Sequence, residues 1–248
     1  MKKLTSALFL MIFATAGYIT NANSLDLSFN IGAAANHAGF YGEGTEKIYD
    51  TDDTSDGWRT LDATEAGAFV DTHSSLFVEI GLGEYIDVGV EHILGDITTP
   101  ENVNLQHEGS TSYQLAGTKR TNKAKASFQE YYTLYTNINI PLAFITDGLK
   151  FYLKGGFSVA DIATEETLET GGSYPNVTSD GLMAGFGLHH DFDAGFFTRL
   201  EVTATDWEDV SAQSSAHGAV SGDVTDSKQV SVTDMMSASA SFRIGKKF

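Results

Sequence analysis

The sequence predicts an all-β fold: an eight-stranded antiparallel up-and-down transmembrane β-barrel with four long external loops and three short periplasmic turns. Three observations lead there. The C-terminal stretch alternates, with Met236, Ala238, Ala240, Phe242, Ile244 and Phe248 on one parity and Ser237, Ser239, Ser241, Arg243, Gly245 and Lys247 on the other; Lys246 alone interrupts the apolar face. A strand of this kind suits hydrocarbon on one side and polar groups on the other. The N-terminus reads as a cleavable signal peptide over 1–24: Lys2 and Lys3, an apolar stretch from Leu8 to Ile19, then small residues around Ala22. Finally, long and short connections alternate along the chain. The expected organisation is therefore a signal at 1–24 and one barrel domain over 25–248.

Period-two alternation marks each strand in turn. The first, 25–33, sets Leu25, Leu27, Phe29 and Ile31 against Asp26, Ser28 and Asn30. The second, 75–82, carries Leu76, Val78, Ile80 and Leu82 outward, and a short link through Gly83 and Glu84 leads to the third, 85–94, with Ile86, Val88 and Val90. The fourth covers 126–140, with Tyr132, Leu134, Thr136, Ile138 and Ile140 on one side and Phe128 and Glu130 sharing that parity. Asp147-Gly148 is a turn signal. The fifth, 149–160, the sixth, 181–190, the seventh, 196–206, and the eighth, 230–248, complete the set. Links at 35–74, 95–125, 161–180 and 207–229 are long, whereas those at 83–84, 141–148 and 191–195 are short, the asymmetry of outer-membrane barrels.

Composition narrows the function. The chain has 15 basic and 33 acidic residues, a net charge of −18, and loses two more positive charges with the signal. Such acidity repels phosphate backbones, so no nucleic-acid partner is expected; Lys119, Arg120, Lys123 and Lys125 read as a solvated loop. There is no cysteine, which excludes disulfides and thiolate metal sites. No cofactor is expected.

With the apolar parity toward lipid, the opposite parity lines the lumen with Asp26, Glu79, Asp87, Glu91, Lys150, Lys154, Arg199, Glu201 and Arg243. Eight strands enclose an interior that side chains fill, so these charges are expected to pair into a plug. Aromatic residues collect near strand ends: Tyr85, Phe151, Phe196, Phe242 and Phe248 on the short-turn side, and Phe128, Tyr132 and Trp207 nearer the loops.

The segments Ser28-Phe29-Asn30-Ile31-Gly32-Ala33-Ala34 and Ser241-Phe242-Arg243-Ile244-Gly245-Lys246-Lys247-Phe248 resemble the first and last strands of the small eight-stranded outer-membrane proteins, the OmpA transmembrane domain, OmpX and opacity-protein group. The resemblance implies residence in the outer membrane of a Gram-negative bacterium, among outer-membrane lipids and lipopolysaccharide; a monomer is expected, although the sequence does not fix the oligomeric state. It also implies that Phe242, Ile244 and Phe248 form the signal read by the barrel-assembly machinery, with Lys246 departing from the usual pattern. No peptidoglycan-binding domain is expected after the barrel, so the resemblance does not imply a tethering role.

The expected function is non-enzymatic: envelope integrity and surface interaction through long acidic loops, with an unknown extracellular ligand. A narrow porin for small solutes is the alternative, and a lipid A-modifying enzyme a second. His73, Ser75 and Glu79 are the residues an enzyme would use, although in the deacylase family the His-x-Ser pair sits on a late strand. An OmpW-like route for apolar molecules is disfavoured by the charged lumen parity. The densest carboxylate cluster, Asp50, Asp52, Asp53 and Asp56, partly mimics a calcium loop, but Ala63 stands where the closing glutamate belongs. It reads as a solvated acidic loop, with at most weak calcium binding.

Overall fold

A computed structural model of the chain describes residues 26–49, 58–60, 65–107, 119–166, 174–213 and 228–248. Eight long strands form a closed ring: β1 (Leu27–Tyr49), β2 (Glu65–Leu82), β3 (Ile86–Leu94), β4 (Lys119–Pro141), β5 (Leu149–Glu166), β6 (Val177–Asp191), β7 (Phe196–Trp207) and β8 (Lys228–Lys247). Each pairs antiparallel with its sequence neighbours, and β8 returns to pair with β1 from Asn30↔Lys247 upward. Residues 1–24, expected to be a signal peptide, and the Asp50, Asp52, Asp53 and Asp56 cluster lie outside the described residues.

Register fixes the barrel's shape. Starting at Phe29, the paired residues run Ile80, Val88, Thr136, Gly155, Ala184, Ala204 and Ala238, and arrive back on β1 at Gly39. One circuit therefore climbs ten residues, which tilts the strands by about 40° and gives a wall of eight-strand diameter. The short connections each turn on a glycine in the left-handed region: Gly83 at φ 68°, Gly148 at 77° and Gly195 at 78°.

The wall faces two solvents. Leu27, Phe29 and Ile31 on β1, Leu76, Val78 and Ile80 on β2, Ile138 and Ile140 on β4, Leu182, Phe186 and Leu188 on β6, Leu200 and Val202 on β7, and Phe242 and Ile244 on β8 point outward and are exposed. About ten residues of a tilted strand cross the apolar band of an outer membrane, yet β1 and β4 each run for 23 residues. The excess rises beyond the band. Where β3 and β7 stop, the wall is continued by Ile97–Thr98 and Asn102–His107 against β4 and by Val210–Gln213 against β8.

In this upper part the apolar face turns inward. Ala38, Phe40, Ile93, Ile97, Phe128, Ala160, Ile162, Trp207 and Met235 form a buried cluster inside the barrel. Phe40 stacks on Phe69 at 4.9 Å, and Phe128 lies 5.9 Å from Trp207. Phe128 and Trp207 are thus core residues and not part of a girdle toward lipid: above the band the outer face meets water, so apolar side chains gain by turning in. Tyr132 does face outward, stacked on His92 at 4.3 Å. The shared parity of Phe128 and Tyr132 is broken by a bulge between Gln129 and Tyr132, where Glu130 takes φ 47°.

Candidate functional site: a filled lumen

Inward-facing residues of the lower barrel form one polar network, built because successive strands present short and long side chains alternately. Gly89 has no side chain where the Tyr135 ring lies, and Gly187 none where Tyr152 lies; a Cβ at Gly89 would come within 2.8 Å of Tyr135 Cζ. Space yielded by one strand is filled by an aromatic ring from another. Gly89→Val is therefore expected to drive Tyr135 off its bond to Glu79 and to destabilise the barrel by about 1–3 kcal/mol, the usual cost of overpacking, with Gly89→Ala losing less in the same urea titration.

The charges centre on three carboxylates. Glu79 receives both ends of the Arg199 guanidinium at 2.5 and 2.8 Å, the Tyr135 hydroxyl at 2.9 Å, and the amides of Asn137 and Asn30 at 3.2 Å each. Glu201 accepts from Lys154 at 3.0 Å, Arg243 at 2.5 Å and Tyr152 at 2.9 Å. Glu91 accepts from Arg243 at 2.8 Å and the Ser75 hydroxyl at 2.5 Å, with Lys154 farther off at 3.4 Å. Lys154 also stands 3.9 Å from the Tyr135 ring centroid, and Arg199 lies 4.7 Å from that of Phe197. Asp87 is held by Asn139 at 2.8 Å and sits 3.7 Å from Arg199.

A second line leads to the short-turn mouth. Arg199 Nε donates to His189 Nδ1 at 2.7 Å, so that ring nitrogen is the acceptor and Nε2 carries the hydrogen given to Asp191 at 2.8 Å. Lys150 closes the line on Asp191 at 2.8 Å.

Of the nine lumen charges named from sequence, Glu79, Asp87, Glu91, Lys154, Arg199, Glu201 and Arg243 come together. Lys150 stands at the rim on Asp191, and Asp26 is exposed ahead of β1, outside the network, because the strand begins one residue later. The charge network expected from sequence does not include Tyr135, Tyr152, Asn30, Asn36, Asn137 and His189, which share the inward parity but are not among its acids and bases. Ser75 is fully buried, its hydroxyl donating to Glu91 and accepting from Asn36 at 3.0 Å. His73 pairs with Asp71 at 3.0 Å. Because β2 starts at Glu65, His73 and Ser75 lie inside the wall and not at its mouth. Phe242, Ile244 and Phe248 lie exposed on the outer face of the closing seam, and Phe248 and Phe29 exchange backbone bonds at 2.8 and 3.2 Å.

Little space is left. A void of about 40 Å³ separates the polar network from the apolar cluster, bounded by Glu91, Lys154 and Arg243 below and Phe40, Ile93 and Tyr131 above. Another of about 10 Å³ lies near Asp87, His189 and Arg199. The first has room for a few waters and the second for one at most.

A closed ring of eight antiparallel strands, an apolar outer band and a polar filled interior define a transmembrane β-barrel of the outer membrane. Among solved structures, the outer membrane protein OprG from Pseudomonas aeruginosa has this fold: 18% identity, TM-score 0.53, with 91% of this chain and 98% of that one covered. Neisserial surface protein A is similar at 14% identity and TM-score 0.45, covering 89% and 97% of the two chains. Ail of Yersinia pestis follows at 11% identity and TM-score 0.38, covering 88% and 99%. No family model matches the sequence, and a search of curated proteins finds no match.

Proposed function

We infer that this barrel is a closed, non-enzymatic scaffold that holds long acidic loops at the cell surface and contributes to envelope integrity, without conducting solutes. One observation carries the reading: ion pairs span the lumen between strands far apart in sequence, Arg199 to Glu79 and Arg243 to Glu91, and an apolar cluster is stacked above them. A hydrated ion would have to displace both layers. The burial of Ser75 and its bonds to Glu91 and Asn36 weigh against a serine nucleophile. Surface interaction falls to the loops, which a rigid wall presents, and lipopolysaccharide is the natural neighbour of the outer band.

Planar-bilayer recording of the refolded mature protein tests this, with Arg199→Ala and Arg243→Ala beside it. The expected result is silence from the native chain. Steady, discrete steps from it, altered by either substitution, would overturn the closed-scaffold reading in favour of a channel.

A further inference from the structure

We propose that the turn joining β4 to β5, residues 141–148, is a membrane anchor seated in the headgroup region of the periplasmic leaflet, with glycerophospholipid as its partner. The sequence there is Pro-Leu-Ala-Phe-Ile-Thr-Asp-Gly. Phe144 is 84% exposed and Ile145 62%. Two large apolar side chains projecting side by side from a turn into water would be costly.

The backbone suits an apolar layer. The amides of Ile145 and Thr146 both fold back onto the Leu142 carbonyl, at 2.8 and 3.4 Å, the Leu142 amide donates to Leu149 at 2.8 Å, and the Leu149 amide returns to Thr146 at 3.4 Å. With three of its amides tied back in this way, the turn has fewer to hydrate and suits the interface, where water still reaches the rest. Its apolar tip is also continuous with the lipid-facing band: Ile138 and Ile140 precede it on the outward parity of β4, and exposed Tyr85, on the neighbouring turn, accepts the Asn139 amide at 2.7 Å. The other two turns differ, carrying Glu84 and Asp193 at their tips. Only 141–148 presents consecutive apolar side chains among the three, while Asp147 and Gly148 complete its polar side. That continuity with the lipid band argues for lipid as the occupant over a periplasmic protein.

The chain has no cysteine, so one introduced thiol labels uniquely. Phe144→Cys carrying an environment-sensitive fluorophore, refolded as the full mature chain into phosphatidylcholine vesicles, is expected to emit blue-shifted light. Lipids brominated near the top of the acyl chain should quench it about fivefold more than the same label at Asp147→Cys, as for a side chain at headgroup depth. Equal, water-like emission from both sites in vesicles that contain folded barrel would overturn the anchor and leave the tip to a protein partner. Phe144→Ser with Ile145→Ser supplies a second reading that needs no label: slower insertion into vesicles supports the anchor, and an unchanged insertion rate counts against it. Conductance plays no part in either measurement, so failure here is separable from failure of the closed-lumen reading.

Discussion

Replacing Arg199 with alanine is expected to destabilise the barrel by about 3–5 kcal/mol, because it leaves Glu79 as an uncompensated charge in a sealed interior. The carboxylate would keep Tyr135, Asn137 and Asn30 as neutral donors and lose both guanidinium bonds. Removing the acid together with the base tests the cause. If the loss comes from the stranded charge, Glu79→Leu with Arg199→Met should recover most of it, since buried pairs are often replaced by apolar side chains at little cost. Urea unfolding in lipid vesicles, followed by the heat-modifiable shift on gels, reads both. A double variant as unstable as Arg199→Ala would place the energy in shape and not in charge.

Trp207→Ala is the other large expected loss, also about 3–5 kcal/mol for an aromatic side chain removed from a packed site. Trp207 is 4% exposed, meets Tyr131 edge-on at 5.2 Å, and gives its indole hydrogen to Ser237 at 3.1 Å. The loss should be local. Its neighbours belong to the part of the wall above the apolar band, so faster hydrogen exchange is expected in the upper halves of β4 and β5, while amides of the band stay protected. Uniform acceleration throughout the ring would show that the two layers fold as one unit.

These two sites differ in how readily they could be read from sequence. Arg199 and Glu79 were legible, because a charge on the parity opposite Leu200 or Ile80 has only the lumen to face. Trp207 was not. Alternation identifies a strand while one solvent contrast persists, and on β1 that contrast inverts: Phe29 and Ile31 point out, whereas Ala38 and Phe40 point in. The phase changes where the outer medium changes from hydrocarbon to water, so the pattern fades in mid-strand and alternation alone ends the first strand near residue 33 instead of at Tyr49. On β4 a bulge at Glu130 shifts the phase, and no parity rule detects an extra residue. The apolar layer over the polar network escaped for the same reason, and with it the filling of the lumen in two layers.

The seam has a kinetic consequence. Asn30 meets Lys247 and Phe29 meets Phe248, so closing the ring brings together partners more than two hundred residues apart. Ordering so much chain before the final ladder forms makes for slow folding. Until the last strand arrives, the nascent sheet keeps two unsatisfied edges, open to pairing with any other extended chain. A shortened C-terminus would therefore leave not a slightly weaker barrel but an aggregation-prone ribbon, and the time spent in that state, more than the strength of the finished wall, would decide how much protein survives its own assembly.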